Sequence, residues 1–468
     1  MFENIFTHDT KTALRLSSNE NISYIQLFNL SVELKAKLQS SEVAIILCKN
    51  NLESLLAYVT CLNNGLVPIL LEYEINESKL NDFVERYNVK YLFTDRAKTD
   101  IKAFKVIHQF ESYYIHEHKN YSLKGKIDPD IALLITTSGS TGNPKLVKIS
   151  KNNLSSNTQS ISKYLSISSI DSQITTLPMQ YTFGLSILNT HLINGGTVIL
   201  TDHSIMEKSF WDLFFETQPT SISGVPYTLN MLKRLKFFDK DISSIKKITQ
   251  AGGRLSEDLA LYFAKESKKR NILFYIMYGQ SEATARMSYL PPELVVDNPN
   301  SVGIAIPGGK FWIEDSEGKI ETNHSTDGEL VYKGDNVFMG YAESFKDLRN
   351  SFNRSNVLKT GDIARINQKG LVFIVGRKKR FIKLFGNRIN LDDIEKFLSS
   401  KGINALATGN DDKLKIFFEF KENLDPQDLK KEVSRFIKIH PSAISVIGKD
   451  AFPRLQSGKV DYNSLPNG

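Results

Sequence analysis

From residue 43 onward, apolar runs of about five residues alternate with longer segments whose apolar positions recur every three or four residues. Residues 43–47, 67–71 and 91–94 predict buried strands, and 52–62 and 77–87 predict the helices between them. That alternation favours a doubly wound sheet, since a parallel partner strand is reached only through a crossover. Residues 128–130 then lead into a further apolar strand at 133–135.

A second series of the same kind follows. Helices are expected at 150–164, 183–192, 206–217, 228–234 and 257–268, and strands at 174–176, 197–201, 221–225 and 245–250. In open α/β sheets ligands gather beyond the carboxyl ends of the strands, so the loops there are the places to look for chemistry. After Pro291 the runs shorten to 310–314, 329–332, 364–367 and 371–375, with Asn367, Gln368, Lys369 and Gly370 as a hairpin turn between the last two. This predicts a small, largely β subdomain. Beyond it, 391–399 and 426–436 read as helices and 413–420 as a strand, a small α+β end to the chain.

Composition narrows the classes. A chain of 468 residues exceeds one compact core and implies several domains or subdomains. Apolar content of 41% and charged content of 24% are those of a water-soluble globular protein. The balance of 59 basic against 52 acidic residues leaves +7, spread along the chain, which gives no reason to expect nucleic-acid binding. Cys48 and Cys61 have neither metal-ligand nor redox spacing and are expected as core thiols in a reducing compartment. The first residues lack a basic segment followed by an apolar core, and no apolar stretch of about 20 residues could span a bilayer, so a cytoplasmic location is expected.

The densest chemistry lies after the strand at 133–135. Thr137, Ser138, Gly139, Ser140, Thr141, Gly142 and Lys145 bring hydroxyl donors, glycines that free backbone N–H groups to approach an anion, and a mobile cation into one loop. Such a composition suits phosphate. A glycine- and serine-rich surface loop is the plain alternative. It is no Walker A loop, which needs Gly-Lys-Ser/Thr in succession, because Pro144 precedes Lys145 and Leu146 follows it.

The segment 137–145 resembles the phosphate-binding signature of the adenylate-forming superfamily, which includes acyl-CoA synthetases, aryl-CoA ligases, adenylation domains of peptide synthetases and luciferases. Leu146 departs from it where a glycine is usual. Further motifs follow in family order. Gln250-Ala251-Gly252-Gly253 resembles the turn whose backbone lies along adenine, and Tyr278-Gly279-Gln280-Ser281-Glu282 resembles the Y-G-x-[ST]-E motif. The segment 178–184 resembles the stretch on the acid-binding side; Gly361-Asp362 and Gly376-Arg377 match the G-D and G-R motifs; 453–459 resembles P-R-x-x-[ST]-G-K.

The resemblance implies an α/β fold: a large N-terminal domain of two doubly wound α/β subdomains plus a small β subdomain at 1–377, a hinge at 378–380 centred on Lys379, and a small mobile α+β domain at 381–468. It implies ATP and Mg²⁺, with the loop on the β- and γ-phosphates, Tyr278 against adenine, Gly252, Gly253, Gly279 and Ser281 in the nucleotide site, Asp362 on the ribose, Arg377 reinforcing it and Glu282 on the metal. Lys459 would bridge carboxylate and α-phosphate during adenylation, while Lys383 and Gly386 match the segment that faces the site, and the thiol tunnel, in a second pose. Tyr181, Phe183, Gly184, Val225 and Tyr227 are the candidate acid pocket. Amino-acid-activating relatives often carry an aspartate near Gly184; 181–185 holds no acidic residue, which points to an acid without a free α-amine.

Two anions meet when a carboxylate attacks ATP, so the reaction needs positive charge and oriented donors more than a general base. The expected activity is formation of an acyl or aryl adenylate with release of pyrophosphate, then transfer to the thiol of CoA. A carrier protein's phosphopantetheine is the alternative acceptor, and a non-catalytic ligand-binding homologue is the rival class. Lys145, Glu282, Asp362 and Lys459 are all present, which speaks against the last.

Overall fold

The computed structural model describes residues 10–96, 103–136, 145–321, 323, 326–349, 355–385, 387–410, 413–420, 424–455 and 458–465. The chain divides into two compact units, Met1–Lys310 with Lys333–Leu358, and Phe311–Tyr332 with Lys359–Gly468.

The first unit holds two mixed sheets. The eight-stranded sheet runs, from one edge to the other, Tyr341–Ala342, Leu146–Ser150, Ile131–Thr136, Val67–Glu72, Val43–Cys48, Tyr91–Thr94, Tyr113–His118, Phe104–Phe110. Its four middle strands are parallel, and antiparallel strands close both sides. Both faces are covered. Ala44, Ile46, Leu70 and Phe93 enter one apolar cluster, while Val43, Ile45, Ile69 and Leu92 enter another, as the two-residue period of a strand requires.

The nine-stranded sheet runs Ile304–Ala305, Ser288–Leu290, Leu273–Tyr278, Lys247–Gln250, Ser221–Gly224, Ser172–Ile174, Thr197–Leu200, Thr12–Leu16, Asn21–Ser23. The six strands from Leu273–Tyr278 to Thr12–Leu16 are parallel, so their carboxyl ends share one edge. Leu14, Val198 and Leu200 of this sheet join the cluster that contains Ala44 and Ile46, with the helices Leu52–Asn64 and Thr182–Ile193 packed in the same core. The Tyr58 hydroxyl donates to Asn189 Oδ1 at 3.1 Å and ties the two helices together.

Most expected elements are present. Helices Glu77–Tyr87 and Glu257–Lys268 and strands Tyr91–Thr94 and Lys310–Glu314 have the expected bounds, and most others move by one or two residues. Ser150 is not helical but caps Lys151–Leu165, its side chain accepting from the Asn153 N–H. The strand expected at 174–176 is Ser172–Ile174. Strands not anticipated include Leu146–Ser150, which follows the phosphate loop, and the hairpin Phe104–Phe110 with Tyr113–His118.

In the second unit a five-stranded sheet is ordered Ile320–Glu321, Lys310–Glu314, Gly328–Lys333, Val357–Ile366, Val372–Arg377. The expected turn at Asn367–Gly370 is present, with Gly370 at φ +77°. Toward the C-terminus the unit contains the hairpin Phe381–Leu384 with Asn387–Asn390, and the three strands Ala405–Gly409, Leu414–Glu419 and Ile444–Lys449 carry helices Leu391–Ser400 and Pro426–Ile437 on one core.

Candidate active site

The carboxyl edge of the nine-stranded sheet gathers the candidate residues of the first unit. Register pairs Gly224 with Gln250 and Gln250 with Ile276, so Val225 and Ala251-Gly252-Gly253 leave their strands at one level, beside the last two strand residues, Met277 and Tyr278, of the neighbouring strand. Two glycines are required here. Gly252 has φ +81°, and a Cβ on it would lie 2.4 Å from the Tyr181 hydroxyl. A Cβ on Gly279 would lie 1.9 Å from the Ala285 carbonyl oxygen, so the chain doubles back closely only because that position has no side chain.

On the acid-binding side, Tyr181 stands at the N-cap position of Thr182–Ile193, with Phe183 and Gly184 buried in its first turn. Tyr181 and Phe183 meet edge to face at 6.3 Å, and Val225 is buried beside them. Tyr227, in the first turn of Pro226–Arg234, is 39% exposed and stands out from this wall. Tyr164 stacks on Tyr289 at 4.2 Å and joins the same apolar cluster, which also contains Tyr275 and Met277.

Into this wall the structure brings Arg286, a residue the motif reading passes over. Arg286 is 2% exposed. Its guanidinium carbon lies 4.7 Å from the centre of the Phe183 ring, and Nη1 donates to the Tyr164 hydroxyl and Met277 Sδ, each at 3.2 Å. Burial raises the pKa of Tyr164 and Tyr181, and the Arg286 charge opposes the rise at both. The signal was present in the sequence: an arginine set among apolar residues in Ala285-Arg286-Met287-Ser288-Tyr289-Leu290 sits in a strand context, not on a solvated face.

Glu282 lies in the 3₁₀ turn Ser281–Ala283, which is fastened from several sides. The Phe338 N–H donates to the Glu282 carbonyl at 2.9 Å, Asn336 Nδ2 to the carbonyls of Ala283 and Arg286 at 2.9 and 3.1 Å, and Asn157 Nδ2 to that of Arg286 at 2.9 Å. The Tyr341 hydroxyl donates to Glu282 Oε1 at 2.8 Å, and burial together with that carboxylate pushes the phenol pKa up. Two residues on, Glu343 pairs with Lys145 Nζ at 2.5 Å. Tyr341 and Glu343, one strand period apart about buried Ala342, therefore engage the metal candidate and the phosphate-loop lysine. Thr137, Ser138, Gly139, Ser140, Thr141 and Gly142 lie outside the described residues; the strands that flank them pair at Thr136 with Leu146.

In the second unit, Asp362 and Arg377 are register partners across an antiparallel pair, with Nε to Oδ1 at 3.1 Å. Asp362 is 3% exposed, whereas the Arg377 side chain is 67% exposed. Lys379 falls in the 3₁₀ turn Lys378–Arg380 and Lys383 in the strand Phe381–Leu384; Gly386 lies outside the described residues. Lys459 stands on the return of a turn in which the Leu455 N–H donates to the Lys459 carbonyl at 2.9 Å, and Arg454 bridges to Val460. Next to Lys379, Arg380 forms a compact charged cluster: Nε donates to Asp392 Oδ1 at 2.5 Å, Nη2 to Glu395 Oε1 at 2.6 Å, and its guanidinium lies 4.6 Å from the Tyr462 ring centre.

The donor set fits the expected ion. Mg²⁺ takes one or two carboxylates and otherwise phosphate and water oxygens, so a single acidic residue such as Glu282 suffices. Among the described residues no group of three or more His, Cys, Asp or Glu side chains forms a cage, the arrangement that zinc or calcium would need. No helix of the described residues is long and apolar enough to cross a membrane.

Comparison with known proteins agrees with this geometry. The chain is 25% identical over 472 residues to the 2-succinylbenzoate–CoA ligase of Bacillus licheniformis, covering 96% of this chain and 95% of that one. It is 26% identical to bacitracin synthase 3 of Bacillus licheniformis over its whole length, although that match spans 8% of the much larger protein. Among solved structures, the o-succinylbenzoate CoA synthetase (MenE) of Bacillus subtilis in complex with its acyl-adenylate intermediate superposes with a TM-score of 0.81 at 21% identity, covering 100% of this chain and 98% of that one. The family model for AMP-binding enzymes matches residues 2–342. With that match over most of the chain, and the motifs at 250–253 and 278–282 on one sheet edge, the protein belongs to the AMP-binding enzymes, the adenylate-forming superfamily.

Proposed function

We propose that the protein is an AMP-forming acid–thiol ligase that activates a carboxylic acid with MgATP and passes the acyl group to CoA. The observation that supports this best is the short strand Tyr341–Ala342 with the residue that follows it, since Tyr341 engages the metal candidate Glu282 and Glu343 engages Lys145 of the candidate phosphate loop. A loop lysine and a metal-binding carboxylate so linked suit one polyphosphate chain.

In the first half-reaction a carboxylate oxygen attacks the α-phosphorus, the bond to the bridging oxygen breaks, and pyrophosphate leaves. Mg²⁺, when bound, neutralises phosphate charge. Glu282 holds that ion, Lys145 and the hydroxyls of Thr137, Ser138, Ser140 and Thr141 hold phosphate oxygens, and the backbone at Gly252 and Gly253 lines adenine with Tyr278. Asp362 takes the ribose hydroxyls and Arg377 orients its carboxylate. Lys459 neutralises charge where carboxylate and α-phosphate meet. In the second half-reaction a thiolate attacks the acyl carbon, the bond to the AMP oxygen breaks, and AMP leaves. A hinge at Lys379 lets residues 381–468 exchange Lys459 for the segment of Lys383 and Gly386 between the two steps. Two buried free thiols fit an enzyme of a reducing compartment such as the cytoplasm.

The 2-succinylbenzoate–CoA ligase among its relatives favours CoA as acceptor. The full-length match to bacitracin synthase 3 supports a second acceptor, the phosphopantetheine of a carrier protein supplied in trans. ATP–pyrophosphate exchange over a panel of carboxylic acids tests the first step. Thioester formation with CoA against a phosphopantetheinylated carrier then separates the acceptors. Exchange with no acid at all would overturn the ligase reading.

A further inference from the structure

Among the described residues, Arg286 is the one charged side chain in the wall formed by Tyr164, Tyr181, Phe183, Val225 and Met277, and its described neighbours leave its charge uncompensated. At 2% exposure it has no carboxylate within ion-pair distance among the described residues. Its Nε is buried and makes no hydrogen bond. What it does contact is weakly stabilising: the face of Phe183, a phenol oxygen and a thioether sulfur. An unpaired ion inside a protein costs several kcal/mol, so a buried guanidinium with an idle N–H is kept in place for a partner that arrives from outside.

The position says which part of the substrate that partner is. Successive side chains of Leu273–Tyr278 alternate between faces, so Met277 and Tyr275, which join the apolar cluster with Phe183, point away from the face of Tyr278. Arg286 touches Met277, and so lies on the acyl side of the strand, with the adenine side opposite. The carboxylate that reacts must reach the nucleotide. The group that meets Arg286 is therefore another one, at the far end of the acid. A guanidinium offers Nε–H and a terminal N–H as a flat fork that matches the two oxygens of a carboxylate.

Resting on the ligase reading above, we propose that Arg286 selects acids that carry a second carboxylate, binding that distal group while the first is adenylated. The substrate class is a dicarboxylic acid activated at one end only.

The test compares each diacid from succinate to suberate, and the three benzenedicarboxylates, with its own monomethyl ester, in the wild type, Arg286→Met and Arg286→Lys. Pyrophosphate exchange gives kcat/KM, and thermal melts with and without each compound give binding independently of turnover. In the wild type the best diacid should exceed its ester by at least about 10²-fold, because an acid that lacks the distal charge leaves the buried cation unpaired. Arg286→Met should remove or invert that preference, and Arg286→Lys should restore part of it. The melting temperature of the wild type should rise with the preferred diacid, and that rise should vanish in Arg286→Met. Equal use of diacid and ester by the wild type, absence of any diacid-dependent rise in its melting temperature, or an unchanged preference in Arg286→Met each overturns the proposal. If melts show the diacid effect and its loss in Arg286→Met while no exchange occurs, the ligase reading fails and the dicarboxylate site stands.

Discussion

Arg380 and Arg286 are both largely withdrawn from water, one in each compact unit, and the contrast in their company separates a cation that holds the fold from one that serves a ligand. Around Arg380, Asp392 and Glu395 take its N–H groups, Tyr462 covers its face and bonds Glu395, and the Ala407 N–H donates to Glu395. Burial works against the Arg380 charge, yet Glu395, Tyr462 and Asp392 outweigh it and push its pKa up. Nε and Nη2 both meet carboxylates within the chain. Around Arg286 the neighbours are aromatic rings, a phenol and a sulfur, with Nε unanswered. The fold gains from the first arrangement and tolerates the second.

The largest expected effect tests this directly. Arg380→Met should lower the unfolding free energy by about 3 kcal/mol, since it strands two partly buried carboxylates, whereas Arg286→Met should be neutral or slightly stabilising. Urea unfolding followed by circular dichroism measures both; equal losses would dissolve the contrast. Lys459→Ala asks whether a cation of the second unit is spent on chemistry instead. Adenylation from acid and ATP should fall on the order of 10²–10³, while thioester formation from synthetic acyl adenylate stays near the wild-type rate. Impairment of both reactions alike would make Lys459 a structural residue like Arg380.

Smaller effects sharpen the picture on the side of the first unit. Glu282→Gln should keep the fold and reduce exchange at fixed magnesium by roughly 10²-fold, because an amide cannot neutralise the ion. A magnesium titration that superimposes on the wild type would remove Glu282 from the metal site. Tyr341→Phe deletes one hydrogen bond to that carboxylate and should change activity by about fivefold or less, from the ~1 kcal/mol of a typical bond. A loss as large as that of Glu282→Gln would make the phenol part of the chemistry.

Where local pattern and tertiary demand agree, the sequence was readable. Glu77–Tyr87 has an asparagine cap at its start and Asn88 in the left-handed conformation at its end, and its bounds follow from those residues. Leu146–Ser150 was not readable, because Lys148 interrupts an apolar run and looks like a surface residue. In the fold Lys148 is 5% exposed, with Nζ donating to the Asp347 carbonyl at 2.8 Å, a partner distant in sequence. Phe104–Phe110 escaped for another reason: as an edge strand it shows long exposed stretches and no clean alternation. At Gly252 and Gly279 the glycines of the motifs answer a demand of the backbone, the close approach of Tyr181 and Ala285. Tyr341 and Glu343 were not legible, since each acquires meaning only from a side chain distant in sequence, and Arg286, though marked by its apolar neighbours, finds its aromatic partners only on the helices Lys151–Leu165 and Thr182–Ile193.

The strand pairing of Thr136 with Leu146 has an electrostatic corollary for the loop between them. A phosphate loop that opens a helix borrows the macrodipole, a diffuse positive end that persists whichever side chains are changed. Here the chain returns as an antiparallel strand, and strand dipoles largely cancel. Attraction for the polyphosphate must come from discrete donors and from Lys145, whose half-exposed charge is open to screening by salt. Nucleotide affinity at such a loop should thus lean on point charges and individual N–H donors rather than on a helix dipole, and should fall as ionic strength rises.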